Sequence, residues 1–380
     1  MTENFELPYC RHNIGNEEIN SVIETLSGDW LTLGPKVNEF ELELSAFNAA
    51  STCVLSSGTA ALHSIFSSLD IKPGDEVIAP ANTFVATQAT AVLAGAEIVF
   101  ADIQEDTGNV DPDHVKTLIT NRTRAIVGVD FAGHPCDLDE MVEIARNCGA
   151  LFIEDAAHSI GSTYKGKNVG SQADLTAFSF FATKNLTTGE GGAVASKNEK
   201  LLQKIKRFSR QGVVREINEF ERISTGPWYY EVKEFGLNYR LPDILSAIGL
   251  IQLKRIESFK EFRWKLFRSY LDFFSEFEFV STPVRRDYVN PMWHLYPIKV
   301  PSEIRNEIFR DLHNSGIKVQ VNYIPSYFHP AFDRNKYPKG LCPESEKFYE
   351  REISMPMFVN DYLLSNEYFE RLSDVFSKYN

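Results

Sequence analysis

Between about residues 50 and 195, short apolar runs of β-forming residues alternate with stretches of helical character: TCVLSS, EVIAP, EIVFAD, RAIVGVDF, ALFIEDAA, LTAFSF and GAVAS. That alternation predicts an α/β fold whose mostly parallel sheet is covered by helices on both faces. Ligands of such sheets bind at the carboxyl ends of the strands. The residues that follow each run are therefore the first place to look for chemistry.

Further along, LIQLKRIESFKEFRWKLFRSYLDFFS (250–275) keeps apolar residues at helical spacing with charges between them, which predicts one long amphipathic helix. Beyond it, HLYPIKV and IKVQVNYI read as strands and EIRNEIFRDLHNSG as a helix, while NYIPSYFHPAF is an aromatic, proline-containing loop. The pattern divides the chain into a large α/β domain over 1–250 and a smaller C-terminal α+β domain over 251–380. A chain of 380 residues exceeds what one hydrophobic core usually serves.

Composition narrows the function. The chain is 43% hydrophobic, 12% aromatic and 24% charged, ordinary for a globular protein. A net charge of -13 repels a phosphate backbone, and no basic run interleaved with aromatics appears, so nucleic acid is not an expected partner. A local pocket of amides and one or two cations can still hold a small anion. Cys10, Cys53, Cys136, Cys148 and Cys342 form no CxxC pair and read as reduced thiols of a cytoplasmic chain. No apolar run approaches the ~18 residues that span a bilayer, so no membrane association is expected.

Three segments carry candidate chemistry. Ser56-Ser57-Gly58-Thr59-Ala60-Ala61-Leu62 follows a strand and opens a helix, either as a plain capped start or as a cradle for phosphate. Phe152-Ile153-Glu154-Asp155-Ala156-Ala157-His158 ends an apolar strand in an acidic pair and a histidine. A carboxylate there could hold a ring nitrogen protonated, or be a surface Asp beside a satisfied histidine. In Phe178-Ser179-Phe180-Phe181-Ala182-Thr183-Lys184-Asn185, a lone lysine follows an apolar strand and precedes a glycine-rich turn. It is an ordinary loop lysine or a desolvated one with the lowered pKa that Schiff-base chemistry needs. The sequon Asn185-Leu186-Thr187 reads as a chance match.

In this order the three segments resemble the DegT/DnrJ/EryC1/StrS sugar aminotransferases. The likeness extends through SGDWLTLGPKVNEFE, SSGTAAL, ANTFVAT, EDAAHSIGSTYKGKNVG, FSFFATKNLTTGEGG and WYYEVKEFGLNYRLPDI. The resemblance implies the fold type I architecture of aspartate aminotransferase and pyridoxal 5′-phosphate (PLP) as cofactor, with pyridoxamine 5′-phosphate as its intermediate form. It also implies a homodimer with shared sites, and no metal.

Residue by residue, Lys184 resembles the lysine that carries the cofactor, and Asp155 the partner of its ring nitrogen. Phe84 resembles the aromatic that stacks on the ring and His158 the neighbour of its phenolic oxygen. Gly58, Thr59, Ala60 and Ser179 match phosphate-contacting positions, and Asn238 the asparagine that reaches the phosphate from the second subunit. The other reading of Asn238 is a cap for a helix starting near Pro242.

Within the family, ADIQEDTGNVDPD and the tyrosine-rich segment look most similar to enzymes that aminate C4 of UDP-linked 4-keto-6-deoxy-N-acetylhexosamines, as in the pseudaminic acid route. The ATKNLTTGEGG stretch is shared with the UDP-4-amino-arabinose type. The expected partners are thus a nucleotide sugar and an amine donor, glutamate. Asn322, Tyr327, Leu245 and Gln211 depart from the family pattern and are expected nearer the sugar nucleotide than the cofactor.

The alternatives are a 3-keto-sugar aminotransferase, a sugar dehydratase, a non-catalytic regulator and an enzyme acting on amino acids. Lys184 argues against the dehydratase, whose relatives carry histidine there. A regulator has no need of Lys184, Asp155 and Phe84 together. The amino-acid enzyme lacks an arginine motif for the α-carboxylate, Arg240 being the one candidate.

Overall fold

The computed structural model describes residues 6–380. Two helices, α1 (Asn16–Leu26) and α2 (Pro35–Asn48), precede an alternating region. It runs β1 (Ser51–Leu55), α3 (Gly58–Ser68), β2 (Glu76–Pro80), α4 (Ala86–Leu93), β3 (Glu97–Ala101), α5 (Pro112–Leu118), β4 (Thr123–Val129), α6 (Leu138–Cys148), β5 (Leu151–Asp155), β6 (Leu175–Ser179) and β7 (Gly192–Ser196). All seven predicted runs are strands of one sheet, ordered β1-β7-β6-β5-β4-β2-β3. Only β7 runs antiparallel to its neighbours.

Strand side chains alternate between faces, and here both faces are buried. Val77, Ala79, Val127, Ile153 and Ala177 join Leu62, Ile65, Phe66 and Leu202 in one core cluster. Ile78, Ile126 and Phe152 pack with Leu138, Met141 and Ile144 in another. Double coverage explains why the runs are continuously apolar.

After α7 (Glu199–Phe208) come α8 (Asp243–Lys254) and α9 (Ile256–Phe274). These correct the single helix expected over 250–275. The chain turns at Arg255, whose guanidinium is held by Glu18 and by the side chain and backbone carbonyl of Asn13. That anchor and the change of packing partners override a continuous helical pattern: α8 packs against α1 and α2, and the later turns of α9 join a separate core.

This separate core gathers α9 with β8 (Tyr296–Lys299), α10 (Ser302–Asn314), β9 (Glu352–Met355) and α12 (Asn366–Phe376), while α11 (Pro343–Arg351) leads into β9. Its centre is aromatic; the rings of Phe267 and Trp293 stack with centroids 4.2 Å apart. The strand expected at IKVQVNYI does not form. Its residues make isolated bridges, Ile317 to Leu7 and Gln320 to Ser354, because the segment leaves β9 to reach the large sheet. There Tyr323 N donates to Asn82 Oδ1 (3.1 Å) and Ser326 N to Ala81 O (3.0 Å).

The N-terminal segment is a strap. Leu7 exchanges backbone hydrogen bonds with Gly316 and Lys318, Cys10 Sγ donates to Thr183 O (3.3 Å), and Asn13 holds Arg255. One short stretch thereby touches the second core, the loop of Lys184 and the turn between α8 and α9.

Candidate active site

The carboxyl ends of β1, β2, β5 and β6 open onto a cavity of about 420 Å3. Each contributes what its sequence permits. After β1, Ser57 caps α3, its Oγ accepting from Ala60 N at 3.0 Å. The amides at the very start of α3 stay available, at the end where a helix favours an anion. Gly58 sits there because nothing larger fits: a Cβ at this position would lie 2.8 Å from that of Ser179.

Thr83 and Phe84 follow β2, and Phe84 stands 59% exposed at the mouth, its ring 6.2 Å from that of Tyr323. Asp155 ends β5, buried, with its carboxylate accepting from Thr87 Oγ1 (2.8 Å) and Ala157 N (3.2 Å). Lys184 lies beyond β6 in a turn closed by its own N–H to Phe181 O (2.9 Å).

Burial dominates the electrostatics of the floor. It pushes the Lys184 amine from its usual 10.5 down to about 8, against the opposing charges of Asp155 and Cys10. It pushes the Asp155 carboxyl upward, while the Thr87 hydroxyl, the Ala157 amide and the Lys184 charge pull the other way. His158 is held well below its ordinary value by burial and then by Lys184, so its imidazole is neutral.

The structure brings Gly58, Thr59, Phe84, Asp155, His158, Ser179 and Lys184 around one cavity. It does not bring Ala60, whose amide already serves Ser57, or Asn238. Asn238 is exposed and pairs through its backbone with Arg210. It caps no helix: the start of α8 has no side-chain cap. Tyr327 is corrected outright, for it is buried in the core with its hydroxyl donating to Glu346 (2.5 Å). Asn322 instead bonds Tyr9 and Ser354, Leu245 packs on α8's own core cluster, and Gln211 lines a different cavity together with Arg210 and Arg240. Asn185 is buried and donates to the carbonyls of His158 and Met292, which leaves no room for a glycan.

Sequence reasoning missed Thr87 and Tyr323. Thr87 closes the quoted ANTFVAT segment, but no periodicity shows that a hydroxyl on α4 meets a carboxylate on β5. Tyr323 falls where the expected strand IKVQVNYI and the aromatic loop NYIPSYFHPAF overlap, and neither reading gives its hydroxyl a partner.

PLP fits this site on three observations. A buried amine of lowered pKa lies beside a buried carboxylate, uncapped amides and the hydroxyls of Thr59 and Ser179 gather at the start of α3, and buried His158 Nδ1 has no partner among the described residues.

The model of the DegT/DnrJ/EryC1/StrS aminotransferase family matches residues 12–372. A UDP-4-amino-4,6-dideoxy-N-acetyl-beta-L-altrosamine transaminase of Campylobacter jejuni is 37% identical over 92% of this chain and 92% of its own. Among solved structures, PseC of Helicobacter pylori, an aminotransferase of pseudoaminic acid biosynthesis, superposes with a TM-score of 0.91 (31% identity, 98% of this chain and 100% of that one). The PLP form of Spr1654 from Streptococcus pneumoniae gives 0.90 at 31% identity, covering 98% of each chain. The chain belongs to the DegT/DnrJ/EryC1/StrS aminotransferase family and is a PLP-dependent enzyme of the fold type I architecture.

Proposed function

We propose that this enzyme moves an amino group from glutamate to the C4 ketone of a UDP-linked 4-keto-6-deoxy sugar, working as a homodimer with shared sites. The observation that carries the reaction is the buried Lys184 amine beside the Asp155 carboxylate on the floor of the cavity. The similarity to the Campylobacter transaminase supports the substrate class.

When bound, PLP supplies an electron sink for the pair left behind as a Cα proton departs. Lys184, with a pKa of about 8, has roughly a tenth of its amine free at pH 7, far more than an ordinary lysine; it would hold the cofactor and, released, carry a proton from Cα. Asp155 would keep the ring nitrogen protonated, and Thr87 and Ala157 N hold its carboxylate in place for that task. The amides of Gly58 and Thr59 and the Ser179 hydroxyl would bind the phosphate, Phe84 would cover the ring, and His158 would meet its phenolic oxygen. Asn238 would complete the phosphate site of the partner subunit.

Exposed apolar side chains support the dimer: Ile19, Ile23 and Leu26 on α1, Trp30 and Leu31 after it, and Trp228 and Phe235 before α8. We also read residues 1–250 as the cofactor domain and 251–380 as the smaller one, since nearly all residues of the second core lie after Phe259.

Incubating the pure enzyme with glutamate and a panel of 4-keto and 3-keto nucleotide sugars, read by mass, tests the proposal. Conversion of ketone to amine on a 4-keto UDP sugar is the expected result. Conversion confined to 3-keto sugars would overturn the C4 assignment.

A further inference from the structure

Beside Lys184 a row of side chains runs from the cavity wall toward the second core. The Tyr323 hydroxyl lies 3.1 Å from His158 Nε2, and the two rings are nearly parallel with centroids 6.1 Å apart. His158 packs on His294 (4.4 Å), whose Nδ1 is 3.2 Å from Asn185 Oδ1, and Asn185 in turn donates to the carbonyl of His158. His158 Nδ1 is buried and unpartnered among the described residues. It is the atom of the row that is both fully buried and without a partner among the described residues.

We propose that Tyr323 is a positioning residue: its hydroxyl donates to His158 Nε2 and so fixes the single imidazole proton on Nδ1, as a donor toward an oxygen anion bound in the cavity. The inference rests on reading the cavity as the PLP site, where that anion is the phenolic oxygen of the ring.

Two arrangements of the pair are open to a neutral imidazole. If Nε2 carried the proton and donated to the phenol, the phenol's own proton would have no acceptor among the described residues, because His158 is its sole hydrogen-bond partner there. Nδ1 would then also be an acceptor without a donor. With the phenol donating, both atoms of the 3.1 Å contact are satisfied, and only an N–H on Nδ1 remains. That N–H is the complement of an anionic oxygen, whereas a bare lone pair would repel one. The phenol is kept protonated by burial and by the charges of Asp155 and Glu352. The backbone that carries it is held as well, since Tyr323 N donates to Asn82 Oδ1 and Asn322 N to Glu352 Oε2 (2.8 Å).

The tautomer can be read directly. Protein labelled with nitrogen-15 at histidine gives long-range proton–nitrogen correlations that separate the two tautomers, and His158→Gln identifies the His158 signals by their loss. The expected result is the Nδ1–H form in the cofactor-free and the PLP-loaded wild type. In Tyr323→Phe, which keeps the ring and loses the hydroxyl, the population should move toward Nε2–H and the visible band of bound PLP should shift. An Nε2–H form in the wild type, or a Tyr323→Phe spectrum unchanged in tautomer, would overturn the proposal. Because the cofactor-free measurement needs no PLP, a failure to bind the cofactor would count against the reading of the cavity and leave the tautomer result to decide the part of Tyr323.

Discussion

A lysine amine whose pKa lies near 8 instead of 10.5 has a measurable consequence at Lys184. The nucleophile is the free amine, so capture of PLP by the cofactor-free enzyme should speed up as pH rises, with its midpoint at about pH 8 and a plateau about one unit above. A profile still climbing toward 10 would mean that the amine is not desolvated as described. Borohydride reduction followed by peptide mapping should place the adduct on Lys184; an adduct on Lys165, an exposed residue paired with Asp139, would remove Lys184 from its role. Asp155→Asn is expected to retain some PLP and to lose activity by about 100-fold or more, since a neutral amide cannot hold the ring nitrogen protonated. Stopped-flow half-reactions with glutamate measure the loss, and near-normal rates would mean that another group pairs with the ring. At this scale much was readable in advance. Lys184, Asp155 and His158 stand out as residue types that are odd for their place after apolar strands, and all three line one cavity. Thr87 and Tyr323 could not, because their importance arises from contacts 68 and 165 residues distant in sequence.

At the scale of elements, strands were legible where both faces are buried, since a continuous apolar run has few other uses in a helix-covered sheet. Boundaries imposed from outside the segment were not. Nothing within 250–275 signals the turn at Arg255, whose partners Asn13 and Glu18 lie near the other end of the chain. The start of α2 is a second case. Its first amides have no local cap and donate instead to the carboxylate of Asp243: Gly34 N at 2.8 Å, Lys36 N at 2.9 Å and Val37 N at 3.4 Å. Asp243 is fully buried at the first turn of α8, so a side chain of one helix caps the start of another. Asp243→Ala should therefore destabilise the fold by about 1–3 kcal/mol, the range for stranding buried donors. Denaturant unfolding checks this, and a loss below a few tenths would show that water replaces the carboxylate at little cost.

For the whole molecule the decisive question is where Asn238 works. It is exposed and stands outside the cavity of its own chain, as a residue destined for the partner's site would. If it completes the second subunit's phosphate site, mixing a Lys184→Ala chain with an Asn238→Ala chain should restore part of the activity. Each mixed dimer then holds one pocket with both defects and one with neither. Return of activity on mixing, together with an impaired Asn238→Ala homodimer, is the expected pair of results; a fully active, PLP-replete Asn238→Ala homodimer would rule out sharing.

The strap of residues 7–13 bears on how the enzyme comes into being. These residues leave the ribosome long before their partners: Leu7 waits for Gly316 and Lys318, and Asn13 for Arg255. The large sheet, finished at Ser196, can close long before those partners exist. Contacts of such sequence separation form slowly, and a growing chain acquires its domains in order. Both ends of the stretch that carries Cys10 to the backbone beside Lys184 thus depend on partners made later than the large sheet. The strap beside the floor of the cavity is therefore secured only once Lys318 has been made.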